Sequence, residues 1–509
     1  MQTRIPKVRH FNPQRIPTVL ALLIVFALLA ACAPAAPAPA APAAAQPAAA
    51  APAAAPEHPL KGQKIEMAIL GIGGWLPSRL GVDMSPMFAE YAKKNYGYDV
   101  TFTFAEAPFS ALFQKAASSL ATRSQEFNII ISDSQWLGAF AEPGWIVNVS
   151  DLIKQNPELD ISWYDPVVKN TYMEYPEGSG NLWGLPEEGD TIALFVRTDL
   201  LGDPAEREAF KAQNGMDLPQ TFEDFENLSM EDFEKIAAFF NRPEQDLYGT
   251  VMQYSKEYDF MTMYLYPFMF STGGEIWDPA KREVYGYLNS QANADAMVWN
   301  RRMLDYQPPG AINYGIAEEI DAFTQDKVAT AFQWAAVGLA MITDQNRDRV
   351  MVVPPPGFKQ ADGSLKRVYS IGGQPWVINA YNDAAHMQVA VDFLKWWYLP
   401  ETQLEFAKRG GNPTVKAVVE DPGFDAIQPW FRAFKYMLTT EHSRDFWHDP
   451  KYSEMLAAQQ EAFTAYASGQ IDDPVRALEY AACEQQKILF EAGRSEIPAP
   501  ASCAGVKLE

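Results

Sequence analysis

Histidine is scarce in this chain, at five in 509 residues. Cysteine is scarcer, at three. Basic residues are outnumbered, 41 Lys and Arg against 64 Asp and Glu, for a formal charge of −23. No apolar run is long enough to span a bilayer comfortably. Each shortage excludes something. The acidic balance argues against nucleic acid and against anionic lipid or polymer as partners. No Gly-x-Ser-x-Gly elbow, His-Glu-x-x-His pair or Gly-Lys-Ser/Thr phosphate loop occurs, so the common hydrolase, zinc and nucleotide signatures are missing. Glu441, His442, Asp445, His448 and Asp449 do gather in "EHSRDFWHDP". Their spacing fits no zinc pattern and reads as a solvated turn. No cofactor or metal is expected.

What is present begins with a leader. Met1 to Pro17 carries Arg4, Lys7, Arg9 and Arg15 and no acid. Val19 to Ala31 is apolar and has the length of a signal-peptide core. Leu29-Ala30-Ala31-Cys32 resembles a bacterial lipobox, which implies lipid on Cys32 and cleavage before it, with residues 1–31 as signal peptide. A single acyl chain anchors only marginally, so the several chains of such an anchor matter. An Ala/Pro tract, uncharged from Ala33 to Pro56, follows, and the lipidated Cys32 with its tether is placed at 32–60. The tract prefers an extended polyproline-like form at about 3 Å per residue and serves as a tether. The remaining cysteines, Cys483 and Cys503, can pair in an oxidising compartment and would pin the tail, 491–509, to the last helix. Two free thiols are the alternative.

The body reads as α/β. Strands are expected at Lys64–Leu70, Asp99–Phe104 and within "NIIISDSQW". Helices are expected at Ser85–Asn95, Pro108–Thr122, Ala385–Tyr398, Tyr452–Ser468 and Pro474–Ala492. Thr221-x-x-Asp224 and Ser229-x-x-Asp232 resemble capping boxes. The alternation predicts largely parallel sheets, with ligands off the carboxyl ends of strands. Those ends and turns carry Trp75, Asp133, Gln135, Trp136, Glu188, Asp190, Trp334, Gly372, Gly373 and Gln374. Carboxylates and amides suit paired hydroxyls, and aromatic faces suit the C–H side of a sugar ring.

Six stretches in order carry a resemblance: "NIIISDSQWLGAFAEPGWIVNVSDLI", "LWGLPEEGDTIALFVRTDLL", "YPFMFSTGGEIWD", "AFTQDKVATAFQWAAVG", "YSIGGQPWVINA" and "AVDFLKWWYLPETQLEFAKRGGNPTVKA". Together they resemble the family 1 extracellular solute-binding proteins of ABC importers, the maltose-binding protein group, over residues 64 to about 490. Asp326 departs from the usual glycine before Lys327. The resemblance implies a two-lobed periplasmic-binding-protein fold closing on a ligand. Lobe one is expected at 61–188 plus 357–408, and lobe two at 189–356 plus 409–490. It implies no enzyme activity. It implies a monomer that is lipid-anchored outside the cytoplasmic membrane and hands a sugar, oligosaccharide or polyol to permease subunits. Trp334 is the expected ring-stacking residue. Asp190 is an expected hydroxyl acceptor, unless it pairs with Arg197. Trp75, Asp133, Gln135, Trp136, Gly373 and Gln374 are expected ligand contacts, with Tyr264 and Tyr452 as weaker candidates. A tethered glycoside hydrolase, using Glu187, Glu188 or Asp190, and a binder of a non-sugar solute such as a polyamine are the alternatives.

Overall fold

The computed structural model describes residues 57–159, 166–438 and 443–508. The signal peptide, Cys32 and the tract to Pro56 lie outside the described residues, as do Glu441 and His442. The expected tether does not reach residue 60. Leu60 is buried, and the His58 ring stacks 4.7 Å from Tyr96 and lies 3.1 Å from the Asp392 carboxylate.

Two mixed sheets organise the rest. The first grows from β1 (Lys64–Ile72), whose early residues alternate exposed and buried before the strand sinks into the core. β1 pairs in parallel with β2 (Asp99–Ala107) and β3 (Ile129–Ile131). Helices Ser85–Asn95 and Phe109–Ala121 supply the crossovers that parallel pairing requires. β4 (Leu185–Pro186) completes this sheet through a strand that arrives much later, described below. The second sheet is centred on β5 (Asp190–Arg197), which is buried along its whole length. β6 (Thr330–Trp334) and β7 (Val350–Val353) flank it, both antiparallel. A small hairpin, β8 (Phe358–Lys359) and β9 (Leu365–Lys366), stands apart. β10 (Tyr369–Gly372) then pairs antiparallel with β5, β11 (Pro375–Ile378) pairs antiparallel with β3 and β4, and β12 (Ser443–Arg444) pairs in parallel with β10.

Two expectations change here. The sheets are not largely parallel, because only β1, β2 and β3 are joined through helices as parallel neighbours; β6, β7 and β10 all pair antiparallel with β5, and β11 reaches the first sheet antiparallel from far along the chain. The return to the first sheet also falls later than 357. β10 still belongs with β5, and the chain passes from one sheet to the other between Gly372 and Pro375.

Local signals explain the elements. Thr221 and Asp224 form a reciprocal capping box. The Ser229 hydroxyl accepts from the Asp232 N–H at the head of Met230–Phe240. Asp326 has φ +63°, a left-handed conformation that glycine adopts without strain, in keeping with the glycine that the resemblance leads one to expect there. It is also held by Arg349 at 2.7 Å. At the C-terminus Cys483 and Cys503 form a disulfide, with Cα atoms 5.5 Å apart. It ties helix Pro474–Glu491 to the short turn Ala501–Cys503.

Candidate functional site

The ends of several strands converge on one cavity. It is lined by Trp75, Phe109, Asp133, Gln135, Asp190, Tyr258, Asp259, Phe260, Met263, Ile316, Trp334, Gly372, Gly373 and Gln374. β1 ends in a glycine loop, where Gly74 takes φ +79°, and the chain turns so that Trp75 heads helix Leu76–Asp83. β3 stops because Asp133 caps the turn Ser134–Trp136, its carboxylate accepting the Ser134 N–H at 2.8 Å. Asp190 opens β5, Trp334 closes β6 and Gly372 closes β10.

The chain crossing between sheets is built without room for side chains. A Cβ on Gly372 would stand 2.6 Å from the Trp334 ring. Gly373 has φ +103°, and a Cβ there would meet the Glu188 carbonyl at 2.8 Å. These glycines let the backbone run under the Trp334 face. The neighbouring Gln374 Oε1 accepts from Trp75 Nε1 at 2.9 Å, and Glu188 accepts from the same N–H at 2.9 Å.

Tyr258 spans the cavity. Its hydroxyl donates to Asp133 Oδ2, and its ring stacks on Phe109 with centroids 5.3 Å apart. Its φ is +49°, a strained backbone for a bulky residue and one that persists only where the surroundings enforce it. Such positions cluster at ligand clamps. The cavity volume is only about 30 Å³, room for a water or two rather than a sugar.

The electrostatics are one-sided. Burial pushes Asp133 up to about 7, against the hydrogen bond from Tyr258, and Asp445 raises it further. Burial also holds Asp190 well above the carboxylate range, opposed by the N–H groups of Ala336 and Thr191. Asp259 is raised by burial first, then by the charges of Asp133 and Asp445. Glu188 is raised by burial first, then by Glu187 and Asp190. The cavity wall contains no Lys, Arg or His.

Of the residues expected from sequence, Trp75, Asp133, Gln135, Asp190, Trp334, Gly372, Gly373 and Gln374 lie together on this wall. Asp190 does not pair with Arg197, which binds Asp199 and Asp326 instead. Three expected residues do not line the cavity. Trp136 is fully buried behind it, edge-on to Phe113 at 5.5 Å. Tyr264 is a core residue, donating to Glu319 and the Phe332 carbonyl. Tyr452 packs against Phe446 and Trp447. Their aromatic bulk on helices, or one turn past a strand end, serves packing. The described part of "EHSRDFWHDP", residues 443–450, is not a solvated turn either. Asp445 accepts from Ser134 and Gln135, and Asp449 accepts from Arg494. Among the described residues no group of three or more His, Cys, Asp or Glu could hold a metal.

Sequence reasoning missed Phe109, Tyr258, Asp259, Phe260, Met263 and Ile316. They sit in the first turns of helices Phe109–Ala121, Phe260–Ser271 and Ile316–Thr324 or in the loop before one. The signal available was "KEYDF", an acid flanked by aromatics directly before an apolar helix.

The architecture matches solved structures of solute-binding proteins. One is an ABC transporter solute-binding protein from Agrobacterium radiobacter K84 in complex with ribitol; the identity is 20%, the TM-score 0.67, and the match covers 84% of this chain and 100% of that one. Another is maltose-bound T. maritima MalE3, at 16% identity and TM-score 0.67, covering 84% and 99%. A third, from Agrobacterium vitis S4 with bound D-mannitol, gives 15% identity and TM-score 0.64, covering 85% and 99%. These likenesses establish the two-lobed periplasmic-binding-protein fold. Residues 78–404 match the profile of the bacterial extracellular solute-binding proteins. With most of its length inside that profile and a cavity between its two sheets, the chain belongs to the bacterial extracellular solute-binding protein family.

Proposed function

We propose that this protein is the extracytoplasmic, lipid-anchored binding component of an ABC importer, and that it captures a sugar, oligosaccharide or polyol in the cavity described above and delivers it to the permease. The observation that carries the reading is the convergence of ring faces and carboxylates from both sheets on one cavity: Trp75 and Asp133 from the first, Trp334 and Asp190 from the second. Ring faces take the C–H side of a sugar and carboxylates accept its hydroxyls. The neighbours of the same fold were solved with ribitol, maltose and D-mannitol. In this reading lobe one is 61–188 plus the chain from β11 to 408, and lobe two is 189–372 plus 409–490, since β10 pairs with β5 and β11 with β3. A cavity of about 30 Å³ cannot admit a sugar unless the lobes part. Ligand then favours the closed form only by its differential affinity for it.

Two experiments test this. Mass spectrometry of ligand co-purifying with the full chain should recover a polyhydroxylated solute. Incubation with an oligosaccharide panel should return every compound uncleaved, and turnover would favour the hydrolase instead. For the anchor, Cys32→Ser should move the protein from the membrane fraction to the soluble one with its melting curve unchanged. Retention on membranes after a salt wash would remove the lipid anchor from this account.

A further inference from the structure

The cavity wall holds three carboxylates, Asp133, Asp190 and Asp259, and no basic side chain. Asp190 is fully buried. Its Oδ1 accepts from the Thr191 and Ala336 N–H groups at 2.8 and 3.0 Å, with the Asn412 amide further off at 3.4 Å. Its Oδ2 has no hydrogen-bond partner among the described residues, although the Ala335 N–H also favours the charged form of this carboxyl. Asp259 stands at the head of helix Phe260–Ser271, yet its side chain caps none of that helix's N–H groups. One step behind the wall, Glu188 also keeps a buried oxygen without a partner. Asp445, whose Oδ2 lies 3.2 Å from His448 Nε2, stands behind the wall and accepts from Gln135.

Three carboxyls on one small wall persist there either by keeping their protons or by meeting a counter-charge. An unpaired buried carboxylate is costly, and each further one raises the cost. A neutral polyol can hydrogen-bond to these oxygens in either state, whereas a cation meets them as carboxylates and supplies the charge that favours their ionised form. An anionic solute would be repelled. The remaining wall is aromatic, including Trp75, Phe109, Tyr258, Phe260 and Trp334. Ring faces attract cations, and quaternary or protonated amines above all.

We infer that the ligand of this cavity carries a protonated or quaternary ammonium group, seated between the Asp190 and Asp259 carboxylates against the aromatic wall. The inference rests on the cavity being the solute site and narrows what that site selects. The ammonium can belong to an aminated sugar or polyol, or to an aliphatic amine.

Calorimetric titration of the full chain with matched pairs separates the cases: glucosamine against glucose, 1-amino-1-deoxysorbitol against sorbitol, with putrescine and choline as amines that lack the sugar. The amine of a pair is expected to bind at least about tenfold more tightly than its hydroxyl partner. Asp259→Asn and Asp190→Asn should each lose more affinity for the amine than for its hydroxyl partner, so that the ratio between the two falls toward one. Asp259→Asn is the safer variant, since Asp190 also receives backbone N–H groups, and a melting curve checks both. Preference for putrescine or choline alone would keep the ammonium and replace the sugar. Glucose or sorbitol binding as tightly as its amine would overturn the inference and leave the sugar-binding reading standing. A co-purified ligand without a basic nitrogen would overturn it too. Binding of none of these compounds would count against both.

Discussion

Gly372 shows how much of the site depends on a missing atom. Its Cβ position falls 2.6 Å from the end of the Trp334 indole. Gly372→Ala must therefore push the ring toward the cavity or shift β10, and overpacking of this kind costs about 1–3 kcal/mol. The expected outcome is a loss of roughly tenfold or more in affinity for the co-purified ligand, with a lowered melting temperature. Wild-type affinity and stability in that variant would mean that the Trp334 ring is free to move and is not held as a platform. At this scale the sequence was legible where a residue ended a strand. Trp75, Asp133 and Trp334 close or follow their strands, while Asp190 opens β5 and is marked by the polar turn before it. It was not legible where the site is made by a loop. Tyr258 reaches Asp133 because its backbone adopts φ +49°, a conformation that no propensity assigns to tyrosine. Tyr264 shows the reverse: it is aromatic and carries a hydroxyl, but it faces inward from a helix and bonds Glu319 and the Phe332 carbonyl.

Elements were legible in proportion to how local their causes are. Helix Ser85–Asn95 begins and ends where expected, and the Thr221–Asp224 box forms as its spacing implied, because caps act within a single turn. Sheet direction depends on partners far along the chain. β11 pairs with β3 across more than half the described chain, and nothing in "QPWVINA" states that the pairing is antiparallel. The disulfide belongs to this scale too. Cys483 and Cys503 are separated by 20 residues, and closing a loop of that size stabilises by about 3 kcal/mol at most. The tail has other holds, such as the Gln486 amide donating to the Ile497 carbonyl at 2.7 Å. We therefore expect Cys503→Ser to lower the melting temperature modestly and to leave ligand affinity unchanged, because the bridge lies outside the cavity wall. Denatured, unreduced wild-type protein should show no free thiol from this pair. Two reactive thiols would reopen the alternative of unpaired cysteines.

The whole molecule carries its acidity in two ways, and they respond oppositely to pH. On the surface, acids such as Asp99, hydrogen-bonded by Lys93, sit below the usual carboxylate range. Whatever they add is already present once the pH exceeds about 4. Inside, Asp133 is raised to about 7 and Glu187 to about 8, in both cases chiefly by burial. Glu187 keeps both oxygens without a partner. In the unfolded chain these groups release their protons near pH 4. In the folded chain they hold them to 7 or 8. The folded state thus binds more protons through that window, and stability falls as pH rises. The contribution is complete below about pH 4 and lost as the pH passes 7 to 8. The unliganded protein should accordingly melt at a lower temperature at pH 8 than at pH 5, the difference amounting to a few kcal/mol, on the order of 1.4 kcal/mol for each pH unit that a group is raised. Glu187→Gln keeps the shape and removes one titrating group. It should flatten the pH dependence and leave the variant more stable than the wild type at pH 8. Glu187 does not line the cavity, so ligand affinity at pH 5 should be retained. Scanning calorimetry of both proteins from pH 5 to 8 decides the matter: a melting temperature that rises across that range, or a slope that Glu187→Gln leaves unchanged, would mean that the buried acids are compensated by charges beyond the cavity and its immediate surroundings.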